Sequence, residues 1–423
     1  MDETIYALSS GAPPAAIGVI RISGPRAGGA LEQLCGSLPP ARSPRLRPLR
    51  DAEGDVLDRA LVLWFPGPAT ATGEDLAELH CHGGRAVVAA LMAALGAMDG
   101  LREAEPGEFT RRAFANGRID LAEAEGLADL LSAETELQRR GAMLAAGGAL
   151  SQRIEAWRDR LLGFAAAVEA VIDFADEDDV SSLPTSLGDD LGALSGEIRQ
   201  IAGRPATERL RDGIRVVLAG PPNAGKSSLF NALLSDEAAI VTAEAGTTRD
   251  VLERPVSIGG IPFVLVDTAG IREAGAGAIE AMGIERARRA VAGGEIVLWL
   301  GEAAEMPDGA VLVRSKSDLV EADNDSGLEV SAVTGSGMDE LVALLVERGK
   351  AALPPVDRLA FNRRQREWAL VAADDIERVD VDGDLLVAAE NLRSARRALD
   401  RLVGRDSTEE MLDALFGRFC IGK

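Results

Sequence analysis

The chain has 423 residues, and its 45 lysines and arginines against 68 aspartates and glutamates give a net charge of −23. This acidity excludes general binding to nucleic acid or to anionic membranes, so any contact with RNA must be local. At about 150 residues per domain, the length predicts two or three domains, each with a core of its own.

Cysteine usage and hydropathy predict a cytoplasmic protein. The three cysteines are widely spaced, and the N-terminal "MDETIYALSS" has neither the basic nor the apolar region of a signal peptide. The longest apolar run, residues 86–98, is shorter than the ~18 residues that a membrane span needs, and it predicts a core helix. No association with a membrane is expected.

Residues 1–117 predict an α+β domain. Short strand-like runs precede the helix at 86–98, namely "IGVIRI" (17–22), "ALVLWF" (60–65) and "LAELHCH" (76–82). The stretch "LPPARSPRLRPLR" predicts a surface loop, because its prolines cannot join a central strand.

Helical patterns fill residues 118–210 and 351–423, and the second part ends in the C-terminal tail. Ser407 with Glu410 predicts a capping box for a last helix that ends at Phe416. Residues 211–350 alternate buried strands with helices, so we predict a multidomain fold in which an α/β domain is inserted into an α-helical bundle domain. The apolar stripes of the bundle are Ile154, Trp157, Leu161, Phe164, Val168 and Ile172, and Leu392, Ala395, Leu399 and Leu402.

The inserted domain contains a phosphate-binding loop. In "RVVLAGPPNAGKSSLFNALL" an apolar strand precedes the full G-x-x-x-x-G-K-S motif (220–227), and an apolar helix follows it. The glycines let backbone N–H groups converge on phosphates, Lys226 reaches the β- and γ-phosphates, and Ser227 binds Mg²⁺. The motif predicts nucleotide binding without saying which nucleotide is bound.

Three later motifs favour GTP. "LVDTAG" ends a strand with Asp267, which suits Mg²⁺ bound through water, and "GTTRD" offers Thr248 as a second Mg²⁺ ligand. "VLVRSKSD" keeps the aspartate of the guanine-reading Asn-Lys-x-Asp motif as Asp318, whereas Ser315 replaces its asparagine and predicts weaker nucleotide affinity. The predicted nucleotide-binding residues are Asn223, Ala224, Gly225, Lys226, Ser227, Ser228, Thr247, Thr248, Asp267, Thr268, Ala269, Gly270, Ser315, Lys316, Asp318, Ser331 and Ala332.

The predicted P-loop GTPase domain lacks the usual catalytic residue. Ile271 occupies the position directly after D-x-x-G, where Ras-like enzymes place a glutamine that orients the attacking water. Isoleucine cannot hydrogen-bond to water, so another group must complete hydrolysis.

Taken together, the motifs resemble the MnmE (TrmE) family of tRNA uridine-modification GTPases. The phrases that carry the resemblance are "AGPPNAGKSS", "GTTRD", "DTAGIRE" and "FCIGK", and towards the N-terminus "IGVIRISGP", "TGEDLAELHCHGG" and "PGEFTRRAFANGRIDLAEAE". The resemblance implies a homodimer joined through its N-terminal domains, with a bound tetrahydrofolate derivative (5,10-methylene or 5-formyl). It also implies that the chain hydrolyses GTP and, with the flavoprotein MnmG (GidA), modifies the wobble uridine of certain tRNAs at C5.

The resemblance further implies a GTPase that depends on potassium. By position, Asn223, Thr242, Glu244 and Thr247 surround K⁺, which takes the role of an arginine finger. Glu280 aligns with the family's water-orienting glutamate. The alternative for Glu280 is an ordinary solvated helix residue.

Family positions also imply that Arg21, Glu78, Arg118 and Lys423 bind the folate, and that Cys420 acts in the modification reaction. The glutamate suits pterin N–H groups and the arginines suit carboxylates. The alternative for this set is ordinary salt bridges, and for Cys420 it is a small buried hydrophobe. Prenylation of the cysteine is not expected, because the chain ends in lysine.

Several further interpretations stay open at the level of sequence. His80 and His82 share a strand face, but no further ligands suggest a metal site. Arginines at 363–366 and 393–401 suit either tRNA phosphates or a solvated bundle face. An RNA-binding ribosome-assembly GTPase is disfavoured by the acidic charge, and a nucleotide-gated scaffold by the tail cysteine and the folate residues.

Overall fold

The computed structural model of the chain describes residues 3–173, 182–235, 239–241, 252–267, 288–289, 293, 295–318, 327–355, 358–405 and 408–423. The chain divides into two compact units, one made of residues 1–128 and 400–423 and the other of residues 129–399. None of the described helices combines the length and the apolarity that crossing a bilayer requires. The domain boundaries at 117, 210 and 350 stay a prediction.

A six-stranded sheet forms the centre of the first unit. Its strands are β1 (Thr4–Leu8), β2 (Ile17–Ser23), β3 (Arg45–Arg50), β4 (Val56–Phe65), β5 (Leu76–His82) and β6 (Leu101–Glu103). They lie in the order β3-β4-β5-β2-β1-β6, with β1 and β6 parallel and the other pairs antiparallel. The first helices of the chain are α1 (Ala27–Cys35), α2 (Arg85–Gly96), α3 (Glu108–Ala115) and α4 (Leu121–Leu131).

The core of this unit lies between the sheet and α1 and α2. Ile20 and Leu79 on adjacent strands pack with Leu31 of α1 and Leu91 of α2, and all four are fully buried. Strand residues alternate between this core and the opposite face, which is the period of two that a half-buried strand requires. The predicted strands at 17–22, 60–65 and 76–82 and the predicted core helix are confirmed.

The prediction of a surface loop over "LPPARSPRLRPLR" is wrong in its second half. Residues Arg45–Arg50 form β3, and Pro48 within it pairs with Arg59 of β4. The strand is at the edge of the sheet, where a residue without an N–H group is tolerated because one side of the strand needs no partner. Pro48 therefore excludes a central strand, but it does not exclude an edge strand such as β3.

Helices dominate the start and end of the second unit. The remaining helices of the chain are α5 (Glu136–Ala146), α6 (Ala149–Asp173), α7 (Leu187–Ala202), α8 (Glu208–Arg211), α9 (Lys226–Ser235), α10 (Met338–Ala352), α11 (Arg363–Glu377), α12 (Leu385–Leu402) and α13 (Glu409–Phe416), of which α13 belongs to the first unit. The predicted stripe on α12 is buried throughout, and on α6 the stripe is buried except for Phe164 and Ile172, which are half-buried.

Helix α13 begins two residues after the serine of the predicted capping box. The helix begins at Glu409 with Thr408 at the N-cap, whose extended backbone (ψ 149°) precedes the first helical residue and whose side chain makes no capping hydrogen bond. The predicted box between Ser407 and Glu410 stays a prediction. Ser407 itself lies outside the described residues.

A seven-stranded sheet forms the rest of the second unit. Its strands are β7 (Ile214–Ala219), β8 (Ala239–Val241), β9 (Leu252–Ile258), β10 (Ile261–Asp267), β11 (Ile296–Trp299), β12 (Val311–Ser315) and β13 (Leu328–Val330). The order is β13-β12-β11-β7-β10-β9-β8, and the five strands from β13 to β10 are parallel. In such a sheet, ligands bind at the carboxyl ends of the strands. The predicted α/β fold is confirmed.

Candidate functional site

The loop between β7 and α9 has the predicted phosphate-binding motif, and its glycines are required by the space around them. Gly220 and Gly225 have φ angles of 141° and 89°. A Cβ at Gly220 would lie 2.9 Å from the carbonyl of Leu300, and a Cβ at Gly225 would lie 2.9 Å from Oγ of Ser315. A larger residue at either position would push the loop away from the neighbouring strand ends.

Lys226 lies at the start of α9 with its ammonium group against the same loop. Its Nζ donates hydrogen bonds to the carbonyl oxygens of Gly220 (2.9 Å) and Pro221 (2.7 Å), and the residue is buried. Burial lowers the pKa of Lys226, while the charge of Asp267 opposes that shift. A phosphate group in the loop would give this buried cation a direct ionic partner. Ser228, also predicted to bind nucleotide, is exposed in the first turn of α9.

Two oxygen ligands suited to Mg²⁺ meet beside this lysine. Oγ of Ser227 donates a hydrogen bond to Oδ2 of Asp267 (2.8 Å), and Asp267, the last residue of β10, is only 2% exposed. A hydroxyl and a carboxylate next to a phosphate loop form a donor set that a hard dication accepts. The two residues therefore fit the predicted Mg²⁺ site.

The residues predicted to recognise the base lie together after β12 and β13. Nζ of Lys316 donates to the carbonyl oxygen of Asn223 (2.8 Å), and Oγ of Ser331 donates to Oδ1 of Asp318 (2.6 Å). Ser331 is fully buried and Asp318 is exposed. The serine thus fixes a carboxylate that remains accessible to a base. Ala332 follows in the same turn and is half-buried.

Ser315 has a contact that sequence reasoning missed. Its hydroxyl donates a hydrogen bond to the carbonyl oxygen of Ala224 in the phosphate loop. The serine is too short to span to a base as asparagine does, but it joins the end of β12 to the loop that would hold the phosphates. The expected weaker affinity for nucleotide stays a prediction.

A pocket of about 610 Å³ opens beside this junction. Ala224, Ser315 and Lys316 line it, together with residues 300–304 that follow β11. A volume of this size suits a small-molecule ligand. Residues 300–304 carry no nucleotide-binding motif, so their place at this pocket could not be predicted from the sequence.

Nearly all of the predicted switch residues lie outside the described part of the chain. They are Thr242, Glu244, Thr247, Thr248, Thr268, Ala269, Gly270, Ile271 and Glu280. Their assignments to Mg²⁺, K⁺, nucleotide and catalytic water therefore stay predictions.

In the first unit, two of the predicted folate residues form an ion pair. Arg21 and Glu78 face each other on β2 and β5, and Nε and Nη2 of the arginine donate to Oε1 of the glutamate (3.1 and 2.8 Å). Nε2 of His80 lies 3.2 Å from Oε2 of Glu78. Burial raises the pKa of Glu78, but Arg21 and His80 outweigh it and hold that pKa below its usual value. The pair is what the salt-bridge alternative predicted, yet its side chains are 27% and 16% exposed and so accessible to a ligand.

An aromatic ring next to this pair was also missed. The guanidinium carbon of Arg21 lies 5.9 Å from the ring centroid of Phe109 on α3. Phe109 is buried with Ile5 and Ala7 of β1. The ring supports the arginine from below through a cation–π contact, which helps to fix its orientation.

Arg118 and the C-terminal tail lie near opposite ends of α3. Arg118 follows the C-terminal end of this helix, beside Gly73, where an added Cβ would lie 3.2 Å from its Cγ. The tail lies near the N-terminal end, and the backbone N–H of Lys423 donates to the carbonyl oxygen of Cys420 (3.2 Å). With eight residues, α3 is about 12 Å long. Cys420 is exposed, so its interpretation as a buried hydrophobe is wrong.

The arginine face of α12 is ion-paired in part. Arg393 and Arg397 both contact Glu390 (2.8 and 3.5 Å), and Arg393 also approaches Glu169 (3.7 Å). These contacts support the interpretation of a solvated bundle face for these two arginines.

Comparisons with known proteins decide which family this is. The family model "GTP-binding protein TrmE N-terminus" matches residues 4–118, and the model "MnmE helical domain" matches residues 121–420. A protein of Erythrobacter litoralis described as tRNA modification GTPase MnmE is 60% identical over 423 residues, which is all of both chains. The chain belongs to the MnmE family. Proteins of the same description from Rhizorhabdus wittichii and Novosphingobium aromaticivorans are 56% and 55% identical; each match covers all of this chain, and 97% and 100% of the relatives.

The family makes the chain an enzyme, a GTPase that acts in tRNA modification. Membership decides against the ribosome-assembly and scaffold alternatives. Among solved structures, the G domain of the T. maritima FeoB iron transporter is 25% identical and covers 32% of this chain and 98% of that chain, with a TM-score of 0.23. Aquifex aeolicus Era bound to GDP and AlF₄⁻ is 21% identical and covers 38% of this chain and 66% of that chain, with a TM-score of 0.23.

Proposed function

We propose that the chain is a K⁺-dependent GTP hydrolase that forms a homodimer through its N-terminal domains. With the flavoprotein MnmG it modifies C5 of the wobble uridine of tRNA, using the one-carbon unit of a tetrahydrofolate. We also propose that tRNA is the substrate, that the protein is cytoplasmic, and that the domain boundaries are those predicted from the sequence. The single observation that carries the GTPase part is the joint placement of Lys226, Ser227 and Asp267 around one loop.

These three residues account for phosphate binding. When a nucleotide binds, Lys226 exchanges its hydrogen bonds to the loop carbonyls for bonds to the β- and γ-phosphate oxygens, because these oxygens are negatively charged. Ser227 and Asp267 would hold Mg²⁺, and the ion would neutralise charge that develops on the phosphates. The carboxylate of Asp318 accepts from guanine N1–H and N2–H₂, while the hydrogen bond from Ser331 keeps it in place.

The potassium requirement is supported by Asn223 and by the isoleucine at 271. Asn223 has a φ of 63° and is exposed on the phosphate loop, so its amide can reach a cation bound beside the phosphates. A cation at this place neutralises negative charge on the phosphates as an arginine finger does. In other GTPases an arginine finger raises the rate of GTP hydrolysis about 10³–10⁵-fold.

The potassium proposal is tested by GTP hydrolysis in KCl and NaCl at equal ionic strength. We expect the K⁺ rate to be higher by an order of magnitude or more, and Asn223→Ala to remove the difference. Equal rates of the wild-type protein in the two salts would refute the proposal.

The folate part is supported by Arg21 and Glu78, an accessible ion pair that offers both a donor fork and a carboxylate to a pterin or a glutamate tail. Calorimetry with 5-formyltetrahydrofolate tests it: Arg21→Ala should weaken binding strongly, and GTP should not compete. A wild-type protein that binds no folate by calorimetry or by an independent probe would contradict the assignment of all four folate residues.

The proposed role of Cys420 is tested in cells. Nucleoside analysis of tRNA from a deletion strain should show the C5 modification restored by the wild-type chain and sharply reduced with Cys420→Ser. GTP hydrolysis should remain nearly intact in the same variant. Full restoration of the modified nucleoside by Cys420→Ser would show that the thiol is not needed.

A further inference from the structure

The C-terminal tail is held at Gly422 by the backbone of β1. Gly422 is buried and has a φ of 91°. A Cβ at this position would lie 2.4 Å from the carbonyl oxygen of Leu8 and 2.9 Å from Cα of Ser9. Oγ of Ser9 donates a hydrogen bond to the carbonyl oxygen of Gly422 (2.8 Å). The tail therefore takes this path only with glycine at position 422, because the backbone atoms of Leu8 and Ser9 cannot move aside as a flexible side chain can.

A second glycine holds the other side of the tail. Gly107, at the N-cap of α3, has a φ of 70°, and a Cβ there would lie 2.2 Å from the carbonyl oxygen of Phe416. Its N–H group donates to the carbonyl oxygen of Cys420 (3.5 Å), and the adjacent Pro106 forms an antiparallel bridge with Ile421. The tail thus passes between β1 and α3 with backbone contacts on both sides.

These contacts hold the tail close to the Arg21 ion pair. Leu8, which meets Gly422, is one residue from Ala7, and Ala7 is the cross-strand partner of Arg21. One residue along a strand is about 3.3 Å. On the other side, Gly107 is two residues before Phe109, whose ring lies under the same arginine. The tail and the Arg21–Glu78 ion pair are therefore both supported by β1 and by α3.

We propose that Ser9, Gly107 and Gly422, hereafter the tail clasp, are positioning residues for uridine modification. The tail clasp fixes the register of the last four residues, so that Cys420 is presented at one place beside Arg21 and Glu78. It acts through Cys420 and has no part in GTP hydrolysis. The inference rests on the proposed role of Cys420 and adds the device that orients it.

Gly422→Ala in the full chain tests the tail clasp, and Gly36→Ala is its matched control. Gly36 has a φ of 81°, close to that of Gly422, but apart from its two chain neighbours no atom of the described residues lies within 4 Å of its added Cβ. Both alanines carry the same backbone cost, and only the one at 422 collides with a neighbour. Tail release is measured by digestion with a carboxypeptidase followed by mass spectrometry, which needs no folate, tRNA or GTP.

We expect the tail to be trimmed in Gly422→Ala but not in Gly36→Ala or in the wild type. Modification should fall about 10- to 100-fold in Gly422→Ala, with unchanged GTP hydrolysis and a melting temperature no lower than that of Gly36→Ala. Ser9→Ala should show a smaller loss of both protection and modification, and Ser9→Thr, which keeps the hydroxyl, should restore them.

Two results would overturn the proposal. The first is a Gly422→Ala tail as resistant to the carboxypeptidase as the wild type. The second is a tail that is trimmed while modification stays at the wild-type level. If Cys420 has no role in the reaction, Cys420→Ser restores full modification, and the trimming of the Gly422→Ala tail stays as expected. The two failures can therefore be distinguished.

Discussion

Ser315→Ala should weaken guanine nucleotide binding even though the serine cannot reach the base. The substitution removes the hydrogen bond from the Ser315 hydroxyl to the carbonyl oxygen of Ala224, which among the described residues is one of two side-chain links from this strand end to the phosphate loop, the other being from Lys316 to Asn223. A neutral hydrogen bond contributes about 0.5–1.5 kcal/mol, and a carbonyl left unpaired in a half-buried position adds to the loss. A total of about 1–2 kcal/mol corresponds to a 5- to 30-fold rise in Kd.

The assay is a titration with a fluorescent GDP analogue, and Ser317→Ala is the control. Ser317 is two residues further along the same loop and is half-buried like Ser315, but its hydroxyl has no hydrogen-bond partner in the part of the chain that the structure describes. Removing it should leave the Kd unchanged. If Ser315→Ala binds as tightly as the wild type, or if Ser317→Ala loses as much affinity, the link between strand and loop does not contribute to binding.

Two further predictions follow from charged groups. Asp318→Ala should raise the Kd for GTP about 10- to 150-fold, because a charge-assisted bond of about 1.5–3 kcal/mol is lost. Competition with ATP should give the same Kd for ATP in the variant and in the wild type, and an equal loss of affinity for both nucleotides would contradict base recognition. Glu78 has a lowered pKa, so the stability that it adds is present above its ordinary value of 4.5 and is lost as the pH falls through the lowered one. Thermal melts should therefore show Glu78→Gln less stable than the wild type at pH 7 and the two converging in acid, whereas a constant difference would show that the ion pair is not its source.

Much of the fold could be predicted because its signals are local. The strands at 17–22 and 76–82 and the helical stripes follow from residues a few positions apart. Strand β3 could not be recognised in this way. Pro48 rules out a central strand, but whether the segment becomes a loop or an edge strand depends on β4, its partner on one side, and that pairing is not written in the segment itself.

The candidate sites show the same limit. The roles of Lys226 and Ser227 could be predicted from the sequence because both residues lie in one contiguous motif. The link from Ser315 to Ala224 joins residues 91 positions apart, and the ring of Phe109 under Arg21 is equally remote in sequence. Such contacts follow from strand order and helix placement, so they become visible only when the elements are assembled.

Two glycines of the first unit show the same dependence on neighbouring segments at single positions. Gly36 and Gly422 share a left-handed backbone, which is the property that sequence reasoning usually assigns to a glycine. They differ in what occupies the missing Cβ position, which is open space at Gly36 and the carbonyl oxygen of Leu8 at Gly422. Conformation alone therefore does not distinguish a glycine that ends a helix from one that holds two chain segments together. The neighbouring backbone makes that distinction, so the sequence around Gly107 and Gly422 does not by itself show that these glycines hold the tail.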